Sequence, residues 1–397
     1  MNIRYILFLI LGLDALVLIL QTGELSISYK EALLLYGDSS FLQAYIKSSI
    51  FLFGQNDFAL RLPMIILHIL SATLLYKISE TYIRVQRNRF WLVVVFVLLP
   101  GVMSSAIIVN DAGLIIFGLL LFAYIYERYS IILVYILLSL YMFINGGFTS
   151  LFMALTIFAL YKKERSFFVF NLLLFLTSLF IYGINSHGSP KGYFLDSIGI
   201  YAAIFTPLIF IYLFYVLYRR YFTKEIDILW FISTVAFVFS LLLSFRQRVS
   251  LEYFAPYLIL ALPLAAQTFE HSYRVRLNMF RKKYRLAFIV SLVLLLINSS
   301  AVFFNKYLYY IVEKPKKHFS YKMHIAKELA QKLKNRDIDC VDTNKKMSTR
   351  LKFYGVTKCN KYLLKENRYD GDEANNVTIS YKNRVVYSAD VTKININ

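Results

Sequence analysis

Six charged residues stand where long apolar runs meet their connecting loops: Lys30, Glu31, Arg61, Asp111, Arg246 and Arg248. A carboxylate in such a place can take a proton from a hydroxyl. An arginine or lysine can hold a phosphate, the guanidinium through paired hydrogen bonds. Each position also has an ordinary reading. Asp111 can cap the helix that begins there. Arg61 can rest its stem on apolar surface with its head at an interface. Arg246 and Arg248 can be solvated loop charge. No P-loop, glycine-rich dinucleotide turn or His-Glu-x-x-His occurs. His318 and His324 fit no zinc spacing, so no cofactor and no metal-ligand set is expected, and the sequence leaves a divalent-metal requirement open.

The elements that must position these residues follow from composition. The chain has 397 residues, 58% hydrophobic and only 17% charged, with 35 Phe and 32 Tyr. That excludes an ordinary soluble protein and a disordered one. Lys and Arg outnumber Asp and Glu 44 to 24. Nucleic acid is not the expected partner, because the basic residues cluster in short loops between apolar runs, as cytoplasmic loops do. About eleven spans are expected, near 4–22, 61–83, 91–108, 111–127, 130–145, 148–161, 166–184, 197–218, 228–245, 251–269 and 285–305. The first reads as a retained helix rather than a cleaved signal, since no Ala-x-Ala-like site follows it. Basic clusters at 84–89, 162–165, 219–224 and 274–285 put those loops inside. Segments 23–60, 109–111, 146–148, 185–196 and 246–250 then face outward, with the C-terminus. The outer set also carries His187 and Lys191. No internal repeat is evident, which weighs against the commonest secondary transporters.

The expected fold class is an α-helical polytopic membrane protein, residues 1–305, with a small C-terminal α/β soluble domain, residues 306–397. The first outer loop is about 38 residues long and too apolar for disorder, and Ser40–Phe53 has the pattern of an interfacial helix. Inside the spans, Asp14 and His68 come to similar depths from the outer face, so a structural hydrogen-bonded pair is expected. Residues 306–397 hold 20 Lys and Arg against 10 Asp and Glu, half the net charge of +20. Helices are expected over 324–334 and 347–354, a strand over 337–342, and a hairpin pairing 377–381 with 384–388. Cys340 and Cys359, the two cysteines of the chain, either form a disulfide outside the cytoplasm or remain as two buried thiols.

With these residues in view, the chain resembles a known family. Leu52-Phe-Gly-Gln-Asn-Asp-Phe-Ala-Leu-Arg-Leu-Pro63, following a long acidic first outer loop, is similar to the start of the second major helix in the polyprenyl-phosphate-sugar glycosyltransferases of the GT-C superfamily. The nearest group comprises the protein O-mannosyltransferases and lipid A aminoarabinose transferases. Asp111 matches that family's second acidic position. Arg246 through Pro263 resembles its late basic-Tyr-Pro-Pro segment, and Leu351-Lys-Phe-Tyr-Gly355 its external domain. The pattern departs in places. Lys30-Glu31-Ala32 stands where Asp-Glu-Ala is usual, Asp38-Ser-Ser replaces a basic-Pro-Pro segment, and Asn145-Gly-Gly-Phe148 replaces a Lys-Gly.

The resemblance implies an inverting transfer of a sugar from a polyprenyl phosphate to a hydroxyl of a lipid, glycan or protein, at the outer face of a bacterial inner membrane. Glu31 or Asp111 would act as base or as the acid that orients the acceptor. Lys30, Arg61, Arg246 and Arg248 would hold the lipid phosphate. Glu31, Asp111 and Arg61 would line one outward cavity. Two other readings stand beside this one: a catalytically lapsed relative that binds lipid-linked sugar or a partner, and a transporter of lipid-linked glycans.

Overall fold

The computed structural model describes residues 3–183, 192–310, 312, 315–366, 376–381 and 384–394. Among them the chain is mostly helical. In order the helices are α1 (Ile3–Glu24), α2 (Tyr29–Tyr36), α3 (Phe41–Phe53), α4 (Asp57–Tyr82), α5 (Gln86–Leu98), α6 (Pro100–Ile107), α7 (Asp111–Arg128), α8 (Ile131–Ile144) and α9 (Thr149–Lys162). There follow α10 (Arg165–Tyr182), α11 (Phe194–Phe205), α12 (Pro207–Thr223), α13 (Ile228–Ser244), α14 (Ala255–Leu258), α15 (Ala261–Val275), α16 (Asn278–Phe303), α17 (Ala326–Lys334) and α18 (Lys345–Phe353). Three strands close the chain: β1 (Tyr362–Glu366), β2 (Asn376–Tyr381) and β3 (Arg384–Lys393).

The segments expected to span are helical over most of their described length, except that 251–260 is turns around the four-residue α14. Four helices among the described residues are long and apolar enough to cross a membrane: Tyr5–Glu24, Asp57–Tyr82, Arg165–Tyr182 and Asn278–Phe303. The number reaches six if two bent pairs each count as one span. These are α5 with α6, bent by 61°, and α11 with α12, bent by 106°. Both breaks precede a proline, Pro100 and Pro207, which lacks the amide that would continue the ladder; Thr206 adds a left-handed φ of 65°. The helices α8 and α13, with 14 and 17 residues, are apolar but shorter. The chain is thus a membrane protein with a run of broken and short helices between its longest ones.

The chain forms two compact units. The first comprises Met1–Ala15, Ser40–Leu42 and Met64–Ser299, and the second Leu16–Ser39, Gln43–Pro63 and Ser300–Asn397. In the first, α9 packs on α10 and α13, around buried rings such as Phe122, Phe148, Phe152, Tyr201 and Phe205. The expected Asp14–His68 pair is present, with His68 Nε2 2.8 Å from Asp14 Oδ2.

The second unit joins the first loop's residues to the C-terminal segment. Its core sets Ile325, Leu329 and Leu333 of α17 and its N-cap, with Leu351 of α18, against Val377, Ile379 and Val391 of the sheet. The sheet order is β1-β3-β2, all antiparallel. The expected hairpin is there, with Tyr381 opposite Arg384; its turn lies outside the described residues. The expected strand at 337–342 is not. It reduces to two parallel bridges, Cys340 to Thr357 and Asp342 to Leu363, in a segment with three Asp, which strands disfavour, and a left-handed Asp337.

Cys340 and Cys359 are bonded, consistent with an extracytoplasmic C-terminal segment. The bond closes a separation of 19 residues, a loop worth about 3 kcal/mol. Reduction, or a Cys340→Ser/Cys359→Ser pair, is therefore expected to lower the unfolding free energy of this unit by about 3 kcal/mol. Protease protection of residues 326–366, compared with and without reductant, checks it.

Candidate functional site

In the second unit the segment between α1 and α2 is extended and enclosed. Ser28 caps α2: its Oγ accepts from Glu31 N at 3.2 Å, and its own amide donates to Glu31 Oε2 at 2.7 Å. This is a reciprocal capping box. Arg61, fully buried, turns its guanidinium onto the end of α1 and the residues after it. Nη1 donates to the carbonyls of Thr22 and Leu25 at 3.0 and 2.7 Å, and Nη2 to that of Ser26 at 3.0 Å. Its Nε lies 3.5 Å from Glu31 Oε1, and Nη1 3.9 Å from Asp57 Oδ1. The cation thus satisfies carbonyls that a helix end leaves unpaired.

A second arginine closes the other side. Arg350 Nε donates to the Ile27 carbonyl at 2.9 Å, and its Nη2 to the carbonyl of Lys322. Burial pulls this guanidinium down to about 10, so it stays charged at neutral pH. Tyr354 accepts from Ile27 N at 2.8 Å and donates to Asp57 Oδ1 at 2.7 Å. Burial first, then the Asp57 charge, raises the Tyr354 phenol. Lys327 reaches Asp57 Oδ2 at 2.9 Å. Two carboxylates and three cations therefore fasten residues 22–31. Glu31 and Arg61 meet, and both are fully buried. Lys30 lies exposed on the first turn of α2.

In the first unit Asp111 is presented differently. Asn110 is the N-cap of α7, accepting from Gly113 N at 3.2 Å, so the cap falls on Asn110 and not on Asp111. Asp111 stands in the helix's first turn, half-buried, where the partial positive charge of the helix end favours a carboxylate. Asn145 Nδ2 donates to its Oδ1 at 2.8 Å, and the Tyr253 hydroxyl to its Oδ2 at 3.1 Å. Asn145 is itself fixed, its Oδ1 accepting from Gly147 N at 2.7 Å. The Tyr257 hydroxyl donates to the Gly147 carbonyl at 2.6 Å. A Cβ at Gly147 would collide with Ile115 of α7, so glycine is what lets this turn sit against the helix.

Tyr253 lies in the segment that carries Arg246 and Arg248. Both arginines are exposed, with no ion pair to another described residue, while Val249 and Leu251 anchor the segment in the core. One hydrogen bond thus brings the 246–253 segment to the start of α7 across 142 residues of sequence. Asn145 and Tyr253, neither of which the sequence singles out as a site residue, both hold Asp111. His187 and Lys191 lie outside the described residues. Among those described, no cluster of three or more His, Cys, Asp or Glu could hold a metal.

Against known proteins, no family model matches the chain and no curated protein matches its sequence.

Proposed function

We propose that the chain is an integral-membrane glycosyltransferase that moves a sugar from a polyprenyl phosphate to a hydroxyl acceptor. In this reading the bent and short helices complete about eleven crossings of a bacterial inner membrane. The N-terminus is cytoplasmic by the basic loops, and the disulfide-bonded segment periplasmic. The supporting observation is Asp111, a half-buried carboxylate held by Asn145 and Tyr253.

Asp111 takes the proton of the acceptor hydroxyl. The acceptor oxygen bonds to the anomeric carbon as the bond from that carbon to the phosphate oxygen breaks, with inversion. The electron pair leaves on the polyprenyl phosphate, and Arg246 and Arg248 balance its charge. Glu31 and Arg61 take no part in the proton or phosphate steps, because their atoms are spent on the 22–31 segment. Lys30 remains a candidate contact for the lipid phosphate at the surface.

The test compares lipid-linked sugars and surface glycans in cells with and without this protein. Loss should leave the lipid-linked donor in excess and the acceptor without its sugar. If neither pool changes, the reading falls. A second reading, a relative that binds lipid-linked sugar without transferring it, draws on the immobilised Glu31 and Arg61. It predicts that both pools stay unchanged while the donor still binds.

A further inference from the structure

The second unit holds a cavity of about 500 Å³ where the chain leaves α16. That lies within the size of small-molecule sites, roughly 300–1,000 Å³. Its walls are rich in rings, among them Phe304, Tyr307, Tyr309, Tyr310 and Tyr381. Phe304 and Tyr307 are more than half exposed, at 53% and 58%. Tyr309 is buried, its hydroxyl 3.1 Å from His324 Nδ1, and Tyr381 is pinned by bonds to the His324 carbonyl and Glu328. Rigid rings at the back and exposed rings at the front make a slot for a flat ligand.

The polar groups of the cavity include an ion pair and a buried amide. Lys306 Nζ pairs with Glu24 Oε2 at 2.5 Å and stands 5.4 Å from the centre of the Tyr381 ring. Asn305 lies in the same wall, only 4% exposed. Its Nδ2 donates to the Val302 carbonyl at 2.9 Å, while its Oδ1 is buried and has no hydrogen-bond partner. A buried acceptor without a donor costs free energy unless a ligand supplies one. An aromatic belt at a membrane surface turns its rings outward to lipid headgroups. Here the rings surround an ion pair and an unsatisfied amide, which hydrocarbon would not stabilise.

We infer that this cavity binds a saccharide. A sugar ring offers apolar C–H faces to stack on the tyrosines and neighbouring hydroxyls that can donate to Glu24 and Asn305 and accept from Lys306. The balanced charge of the Glu24–Lys306 pair suits a neutral sugar better than an anionic one. The ligand class follows from the walls alone. That this sugar belongs to the acceptor rests on the transferase reading.

The test is saturation-transfer difference NMR on the full chain in nanodiscs, with a panel of neutral and uronic-acid di- and trisaccharides. Signal is expected on ring C–H protons of a neutral member. Tyr307→Ala and Asn305→Ala should each weaken it about tenfold. Tyr307→Ala, which truncates an exposed ring, should keep the parent's unfolding midpoint and is the deciding variant; Asn305→Ala also loses the bond to the Val302 carbonyl. No signal with any saccharide, or full signal in both variants, overturns the inference. Signal confined to uronic acids overturns the charge assignment that underlies it. Because the readout is binding, a chain that binds saccharide and transfers none removes the transferase reading and leaves this one standing. A chain that transfers sugar and gives no signal does the reverse.

Discussion

Asp111→Asn is expected to lower the rate of sugar transfer by about 10²–10⁴-fold, the usual contribution of a positioned general base. The substitution keeps the size of the side chain and its place in the first turn of α7. Donor binding should therefore persist while the chemical step fails, so the loss falls on kcat and not on KM. Tyr253→Phe removes a donor that orients the carboxylate and should cost about tenfold, the worth of one well-placed hydrogen bond. The two variants act through one group, so the double variant should be no slower than Asp111→Asn alone. Initial rates of transfer in membrane vesicles, against increasing donor, measure all three. Full activity in Asp111→Asn assigns the base elsewhere and leaves Asn145 and Tyr253 as packing around a helix start.

What could be read from the sequence divides along the range of the interaction. The helices were legible because an apolar run bounded by basic residues has few other solutions near a membrane. Asp14 and His68 were legible as a pair, since rise per residue alone puts them at one depth. The breaks at Pro100 and Thr206–Pro207 were written in the prolines, yet the hydropathy of 91–108 and 197–218 masks them. The capping box is a different case. Ser28-Tyr-Lys-Glu31 carries the Ser-x-x-Glu signature in plain form, but a carboxylate on an outer loop draws a catalytic reading first. The bond from Tyr253 to Asp111 had no local signal at all. It depends on Tyr257 reaching Gly147 and on a turn close enough to α7 to exclude a side chain, which only the packed helices determine.

Arg61 separates the two meanings that one residue type can have. As a phosphate ligand, it would be dispensable for folding and its loss would weaken donor binding. The geometry points to the opposite. Its guanidinium bonds three carbonyls between Thr22 and Ser26 and faces two carboxylates, with no exposure. Arg61→Met fills most of the volume but leaves those carbonyls unpaired and removes a cation beside Glu31. Removing one partner of a buried pair costs about 3–5 kcal/mol, so the second unit should unfold at a markedly lower midpoint. Glu31→Gln should cost less, because an amide oxygen can still accept from the Ser28 amide and Arg61 keeps its three carbonyls. The order of the two, Arg61→Met well below Glu31→Gln, is what a clamp demands and what a substrate contact does not. Limited proteolysis of the two variants in detergent reads that order directly. An Arg61→Met chain that resists protease like the parent while losing transfer would move Arg61 from the scaffold to the phosphate.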